Sequence, residues 1–160
     1  MPTKRVMRLL SVAAIAPLLF TSCDSSRTLD PFDDVAGRYE LSVFAGRSVP
    51  ATFTCQPGVC QDTFSNGGTI VVHGGTLDLD DDGTFVETNH WTETPTGGAP
   101  DDVTFVSTGT YNFTGQNELT LFAPAQNGIG PRTLDATIEF GATQTTIHYI
   151  EDERSYEYRR

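Results

Sequence analysis

The sequence predicts an all-β protein: an antiparallel up-and-down barrel of about eight or more strands, preceded by a signal peptide and a short tether. From residue 37 onward, short runs of β-branched and aromatic residues are separated by Gly, Asn, Asp and Pro clusters. After the leader, no stretch sustains the i, i+3, i+4, i+7 apolar spacing of a helix. Because the turns are short, strands adjacent in sequence should pair. Rolling such a meander into a barrel removes its exposed edges.

The first 22 residues are typical of an export signal rather than of a folded segment. Lys4, Arg5 and Arg8 form a positively charged start, which the apolar stretch 9–20 follows. That stretch has 12 residues, fewer than the ~20 that a membrane-spanning helix needs. We therefore expect residues 1–22 to be removed as a signal peptide.

The end of this leader resembles the signal of bacterial lipoproteins, which consists of an aliphatic residue, two small residues and then Cys. Here it is Phe20-Thr21-Ser22-Cys23, with Phe20 where Leu is usual. The resemblance implies that Cys23 is acylated and becomes the new N-terminus. The alternative is an ordinary signal peptide cut nearby, with Cys23 an incidental thiol.

The charge of the exported chain limits its partners. Acidic residues outnumber basic ones by 21 to 10, and loss of the leader's three basic residues takes the formal charge from −11 to −14. Such a surface repels nucleic acid and anionic membranes, so acyl chains on Cys23 would have to hold the protein at the bilayer. We expect a lipid-anchored protein of the bacterial cell envelope that faces the periplasm or the exterior, with no nucleic-acid partner.

Turn chemistry divides the rest of the chain. Residues 24–34 are mostly polar and have no apolar period, and residues 23–35 are predicted to form a flexible tether before a barrel domain at 36–160. Asp82-Gly83, between runs of alternating apolar residues, favours a hairpin. Strands are expected near 37–44, 49–55, 69–80, 84–94, 102–114, 117–123, 132–140, 143–150 and 154–159.

Alternation of apolar side chains assigns an inward face to most of these strands. The residues expected to point inward are Tyr39, Leu41, Val43, Leu77, Leu79, Val103, Phe105, Tyr111, Phe113, Leu119, Leu121, Leu134, Ala136, Ile138, Phe140, Ile147, Tyr149, Tyr156 and Tyr158. They are enough to fill a small barrel, and they leave open whether a cavity remains.

Four short motifs resemble those of small bacterial lipocalin-like lipoproteins, over about residues 36–160. They are AGRYEL at 36–41, LDLDDDGTF at 77–85, GTY at 109–111 and NELTL at 117–121, with an ending rich in Tyr and Arg. The resemblance implies a calycin-type up-and-down barrel with an internal ligand cavity as one possibility, and it supplies no ligand.

The resemblance also implies a structural signature at the start of the barrel. Lipocalins open with Gly-x-Trp, and a late Arg packs across the Trp ring. Here Gly37 and Tyr39 match that opening with Tyr in place of Trp, and Arg154 or Arg159 is the expected arginine.

Cys55 and Cys60 enclose a Pro57-Gly58 turn that can bring the two sulfur atoms together. Export places them in an oxidising compartment, and lipidation of Cys23 leaves an even pair. We expect a structural disulfide rather than a redox motif, which would more often be Cys-x-x-Cys beside a helix.

Polar residues share the predicted face of one strand with aromatic ones. If Phe85 and Trp91 point inward, alternation turns Glu87 and Asn89 inward too, which would suit a polar-lined cavity that reads a ligand. The alternatives are a bulge that changes the register within the strand, or a Trp91 that plugs the rim.

Motifs for catalysis or cofactor binding are absent from the sequence. It contains no nucleophile elbow, P-loop or dinucleotide fingerprint, and its three histidines have no metal-ligand spacing. Asp78, Asp80 and Asp82 match the start of a calcium loop, but its twelfth position is Asn89 rather than Glu. We expect no enzyme activity, no metal and no cofactor, with calcium at these aspartates left open.

Two functions remain at this stage. The first is non-enzymatic binding of a small apolar ligand by a lipid-anchored, lipocalin-like barrel. The alternative is an interaction, inhibitor or structural accessory module of the envelope whose barrel core is filled.

Overall fold

A computed structural model describes residues 31–57, 64–126 and 129–160. Within these ranges the chain forms one short helix and ten strands. The elements are α1 Pro31–Val35, β1 Gly37–Phe44, β2 Arg47–Ser48, β3 Ala51–Cys55, β4 Gly68–Leu79, β5 Thr84–Pro95, β6 Asp101–Gly115, β7 Glu118–Ala123, β8 Arg132–Phe140, β9 Thr145–Glu151 and β10 Arg154–Arg159.

Eight of the strands close an antiparallel up-and-down barrel. From β4 to β10 each strand pairs with the next along the chain, and β1 closes the circle by pairing with both β10 and β4. Leu41 lies opposite Tyr158 in one seam, and Tyr39 lies opposite Leu77 in the other. The extra strand β2 pairs with the end of β1, and β3 pairs with the first half of β4. The predicted fold class is confirmed.

The strands follow the predicted turn chemistry closely. All nine predicted strands are present within two residues of the expected ends, and the two-residue β2 is an addition. In the turn after β4, the side chain and backbone amide of Thr84 both donate hydrogen bonds to Asp82 Oδ1, at 2.6 and 2.9 Å. This local bonding ends one strand and begins the next.

The inward faces of the strands form one core, but two residues that alternation predicts to point inward do not join it. Among its fully buried members are Tyr39, Tyr111 and Leu119. Phe140 was expected inside but is 50% exposed, because it is the last residue of β8 and lies beyond the buried Ile138 layer.

Val43 is the second of these residues. The register of β1 against β10 shifts between Leu41 and Val43, and such a bulge changes which side chains point inward. As a result Phe44, rather than Val43, packs against the core.

The helix α1 covers one end of the barrel. Its Phe32 ring meets the rings of Tyr111 and Phe113 edge to face, with centroids 5.3 and 5.4 Å apart. Val35 is fully buried, and its carbonyl accepts a 2.7 Å hydrogen bond from the Tyr39 hydroxyl. Residues 31–35 were expected to belong to the tether, whereas they form a packed element. Residues 1–30, which include Cys23, lie outside the described residues.

An arginine does pack over the Tyr39 ring, but it is Arg160. Its guanidinium lies 5.0 Å from the ring centroid and also donates to the carbonyls of Ala36 and Asp34. Gly37 makes room for this approach, since its φ is 144° and a Cβ there would lie 2.6 Å from Arg160 Nη1.

The two arginines expected over Tyr39 lie elsewhere. Arg159 is on the opposite face of β10 from the buried Tyr158, and its Nε donates to Glu157 at 2.6 Å. Arg154 is on the same face of β10 as Tyr156 and Tyr158. It is the first residue of the strand, however, and lies opposite Glu151 at the far end of the barrel from Tyr39. Alternation along the strand therefore selects Arg160.

Tyr39 and Arg160 should be energetically coupled. We expect Tyr39→Ala to lower the free energy of unfolding by about 3–5 kcal/mol, as for a buried large aromatic residue. Arg160→Ala should cost about 1 kcal/mol, and the two losses should not add, because the ring and the cation act together. Urea unfolding of both single variants and the double variant measures the coupling. Arg159→Ala is the matched control and should change stability by less than about 0.5 kcal/mol; additive losses for Tyr39 and Arg160 would contradict the pairing.

Candidate functional site

A buried carboxylate occupies the middle of the barrel. Glu87 on β5 is 2% exposed. Its Oε1 accepts hydrogen bonds from the hydroxyls of Tyr149 and Tyr158, at 2.5 and 2.9 Å, and from Asn89 Nδ2 at 2.8 Å. Its Oε2 accepts from Arg132 Nη2 at 3.0 Å. Both oxygens of this buried carboxyl group therefore have hydrogen-bond partners, as a buried polar group requires.

These contacts cross the interior of the barrel. Tyr149 is on β9, four strands around the barrel from β5 in either direction, and Arg132 and Tyr158 come from β8 and β10. Tyr158 also donates to Asn89 Oδ1 at 3.1 Å. Among the described residues, no buried side-chain nitrogen or oxygen lacks a hydrogen-bond partner. The cluster therefore joins opposite walls by polar contacts.

Arg132 connects Glu87 to a second carboxylate. Its Nη1 donates to both oxygens of Glu151, at 2.9 and 2.8 Å, and its guanidinium lies 4.9 Å from the centroid of the Phe105 ring. The side chains of Arg132 and Glu151 are 13% and 18% exposed. We call Glu87, Asn89, Arg132, Tyr149, Glu151 and Tyr158 the Glu87 network. With both carboxylates ionised, the network carries two negative charges and one positive charge.

Burial changes the titration of this network. It raises the pKa of the Tyr149 and Tyr158 hydroxyls well above the usual value, and the adjacent Glu87 carboxylate adds to the effect. Burial also raises the pKa of Glu151, although Arg132 opposes that shift. For Arg132, burial alone would lower the pKa, but Glu87 and Glu151 together raise it. Both tyrosines are therefore neutral donors and Arg132 is a permanent cation.

Partly buried aromatic rings surround the end of the barrel opposite α1. We call Phe44, Phe53, Trp91, Phe105 and Tyr156 the aromatic mouth. The centroid of Phe44 lies 5.4 Å from that of Phe53 and 5.0 Å from that of Tyr156. The Trp91 and Phe105 centroids are 6.3 Å apart.

Two contacts join the mouth to the Glu87 network. Tyr156 stacks on Tyr149 with centroids 4.7 Å apart, and Arg132 lies over Phe105. The network is therefore the floor of the mouth.

The structure places the three residues suggested for ligand contact at alternate positions along β5, with a hydrogen bond between Asn89 and Glu87. Glu87 and Asn89 are buried and Trp91 is partly buried on the inward face of β5, as alternation indicates. The bulge considered as an alternative for β5 is found in the neighbouring strand β4, whose register shifts between Val72 and Gly74. Trp91 Nε1 donates to Glu93 Oε1 at 2.7 Å, which places another carboxylate beside the ring.

Sequence reasoning missed Arg132 and Glu151. Arg132 is two residues before the inward-facing Leu134, and Glu151 is two residues after the inward-facing Tyr149, so alternation places both on the inward face. A search for opposite charges along the inward faces would have found them as partners for Glu87.

The other suggested site residues do not join this cluster. Cys55 is buried at the end of β3, but Cys60 lies outside the described residues, so their disulfide stays a prediction. Asp80 and Asp82 both accept hydrogen bonds from Thr84, and the Thr84 side chain lowers the pKa of Asp82. Among the described residues, no group of three or more His, Cys, Asp or Glu side chains is placed to hold a metal ion.

A depression of about 500 Å³ lies around Gly74 and is lined in part by Trp91 of the aromatic mouth. His73, His90 and Asp102 line it. The Thr92 hydroxyl lies 2.7 Å from His73 Nε2 and donates to Asp102 at 2.6 Å. Hydrogen bonds thus join His73, Thr92 and Asp102, whereas His90 Nδ1 lies 3.0 Å from the Thr104 hydroxyl.

Comparisons of this chain with family models, curated proteins and solved structures find no significant match. The eight-stranded antiparallel barrel is compatible with a lipocalin-like fold. No helix in the described part of the chain is long and apolar enough to cross a membrane. Functional inference therefore depends on the geometry of the site.

All five tyrosines of the chain should resist ionisation in the folded protein. Burial raises the pKa of each above the usual 10.0, and that of Tyr111 to about 12. Since the unfolded chain then loses protons more readily than the folded one, stability is retained below pH 10 and falls as the pH rises above it. Titration by tyrosinate absorbance should show almost no ionisation at pH 10 until the protein unfolds. The urea-unfolded chain is the control, and a folded-state tyrosine that titrates normally would contradict the packing.

Proposed function

We propose that this protein is a lipid-anchored component of the bacterial cell envelope whose lipocalin-like barrel binds a small ligand with an apolar body, without catalysing a reaction. The observation that carries the proposal is the aromatic mouth above the Glu87 network. Ligand sites are mostly apolar concavities with a few fixed polar groups. The mouth supplies partly buried rings, and the network supplies polar groups whose positions are fixed by hydrogen bonds.

The interior below the network favours binding at the mouth rather than along the barrel axis. An eight-stranded barrel is just wide enough for side chains to fill or for one small ligand to occupy. Here Tyr39, Leu77, Phe85 and Tyr111 are buried between the network and α1. A ligand would contact the rings with its apolar body and would meet Arg132 and Glu151 at the floor.

The expected anchor fits this placement. Cys23 lies eight residues before Pro31, so an extended chain between them spans at most about 28 Å. Because α1 covers the opposite end of the barrel from the mouth, a lipid on Cys23 would hold the closed end toward the bilayer. The mouth would then face away from the membrane, toward soluble molecules of the periplasm or exterior.

A filled core supports the second candidate, an interaction, inhibitor or structural accessory module. The Glu87 network joins opposite walls of the barrel, and every buried polar side-chain atom among the described residues has a partner. Such an interior can serve as a rigid support for loops that contact another envelope protein. The aromatic mouth favours ligand binding over this role, because its five rings gather at one end of the barrel and are only partly buried.

The chain has one Trp, so the fluorescence of Trp91 reports directly on the mouth. We expect the neutral apolar probe N-phenyl-1-naphthylamine to quench Trp91 with one site per chain. Phe53→Ser should weaken this binding about tenfold, which corresponds to about 1.4 kcal/mol of lost contact. Phe122→Ser, at an outward position that is 45% exposed, is the matched control and should bind like the wild type. Absence of quenching in the wild type would contradict ligand binding and favour the accessory role.

Cys23→Ser should abolish membrane anchoring, because serine lacks the thiol that accepts the diacylglyceryl group. The wild type should incorporate labelled palmitate and sediment with membranes, and the variant should do neither. The double variant Cys55→Ser/Cys60→Ser is the control and should keep its label. A Cys23→Ser protein that still sediments, with no label on the wild type, would refute the lipoprotein assignment.

A further inference from the structure

We infer that the ligand of the aromatic mouth is an organic cation, an amine or quaternary ammonium group attached to an apolar body. This inference rests on the proposed ligand-binding function and specifies its chemical class. Its basis is the juxtaposition of aromatic rings with a floor whose carboxylates outnumber its guanidinium.

The first argument is the charge of the floor. Arg132 is paired with two carboxylates, Glu87 and Glu151, so the carboxylates of the floor outnumber its guanidinium by two to one. Glu87 is 2% exposed and its oxygens already accept four hydrogen bonds, whereas the side chain of Glu151 is 18% exposed. Glu151 is therefore the carboxylate that a bound molecule can reach.

The second argument is the arrangement of the rings. An aromatic face attracts a cation, and quaternary ammonium groups are recognised by aromatic cages. Two rings of the mouth are already covered by arginines: Arg132 lies over Phe105 and Arg47 lies over Phe53, the latter at 5.0 Å from the centroid. Among the described residues, no arginine lies over the three other rings, Phe44, Trp91 and Tyr156. Trp91 has Glu93 beside it and Tyr156 is close enough to Glu151 to feel its charge, so these two are the rings on which a ligand cation can rest.

Other charges around these two rings are mixed. Glu93 accepts a hydrogen bond from Trp91, and the Asp152 carboxylate interacts with Glu151. Arg154 acts on Tyr156 as an opposing positive charge. The carboxylates Glu87, Glu93, Glu151 and Asp152 outnumber the arginines Arg47, Arg132 and Arg154.

The charge of the whole chain acts in the same direction. Its formal charge is −11, and −14 without the leader, so the protein raises the local concentration of cations and lowers that of anions. A ligand with a carboxylate or phosphate would be repelled over long range and would meet Glu151 at the floor. An ammonium group on an apolar body suits both the long-range field and the local contacts.

Three probes with the same decyl chain test the inference through Trp91 fluorescence: decyltrimethylammonium, decyl maltoside and decanoate, each below its micelle concentration. We expect the ammonium probe to bind at least about tenfold more tightly than the neutral one, and decanoate to bind most weakly. Glu151→Gln should reduce the advantage of the ammonium probe severalfold and leave decyl maltoside unchanged. Glu153→Gln, the same change at an exposed position two residues away, is the matched control.

The outcomes separate the two proposals. If decanoate binds as tightly as the ammonium probe, or if Glu151→Gln leaves the selectivity unchanged, the cation inference is wrong while ligand binding stands. If none of the three probes alters Trp91 emission, both proposals fail. The ranking in the wild-type protein remains decisive even if the Glu151 variant does not fold.

Discussion

The buried carboxyl group of Glu87 is the constraint on which the barrel interior depends. Transfer of an unpaired carboxylate out of water costs several kcal/mol even after the protein relaxes. Glu87 avoids that state because two tyrosine hydroxyls, one amide and one guanidinium converge on it from four strands. Loss of any of these donors would leave a buried oxygen of Glu87 with one hydrogen bond fewer. The interior is thus specified by polar geometry as well as by apolar volume.

This polar centre divides the barrel into two unlike ends. Toward α1 the interior is apolar, and Arg160 holds the C-terminal strand to the start of β1 through the Tyr39 ring and two carbonyls. Toward the other end the rings are partly buried and rest on Arg132 and Tyr149. One end is closed by packing, and the other has the mixture of rings and charges suited to recognition.

Alternation and turn chemistry predicted the barrel, because a two-residue period in eight of the nine predicted strands leaves little freedom of register. The same rule predicted that Glu87 and Asn89 point inward if Phe85 and Trp91 do, and both are buried in the structure. It failed at Val43, where a bulge intervenes, and at Phe140, where the strand runs past the core.

The partners of the inward residues were harder to predict, since they depend on which strands face each other across the barrel. Arg160 was missed by one position, although it has the parity of Tyr158. Arg132 and Glu151 were missed because their link to Glu87 spans 45 and 64 residues of sequence and exists only after closure. The position of a residue along a strand predicts which face of the sheet its side chain occupies. Which side chains meet across the barrel interior depends on how the barrel closes.

A double-mutant cycle between Glu87 and Arg132 tests the central claim most directly, with unfolding free energies measured in urea for Glu87→Gln, Arg132→Met and the double variant. Arg132→Met should cost about 3–5 kcal/mol, because it leaves Glu87 and Glu151 without their cation. Adding Glu87→Gln should restore part of that loss, which gives a coupling energy of at least about 1.5 kcal/mol. Strictly additive losses would show that the buried carboxylate does not depend on Arg132 and would contradict the account.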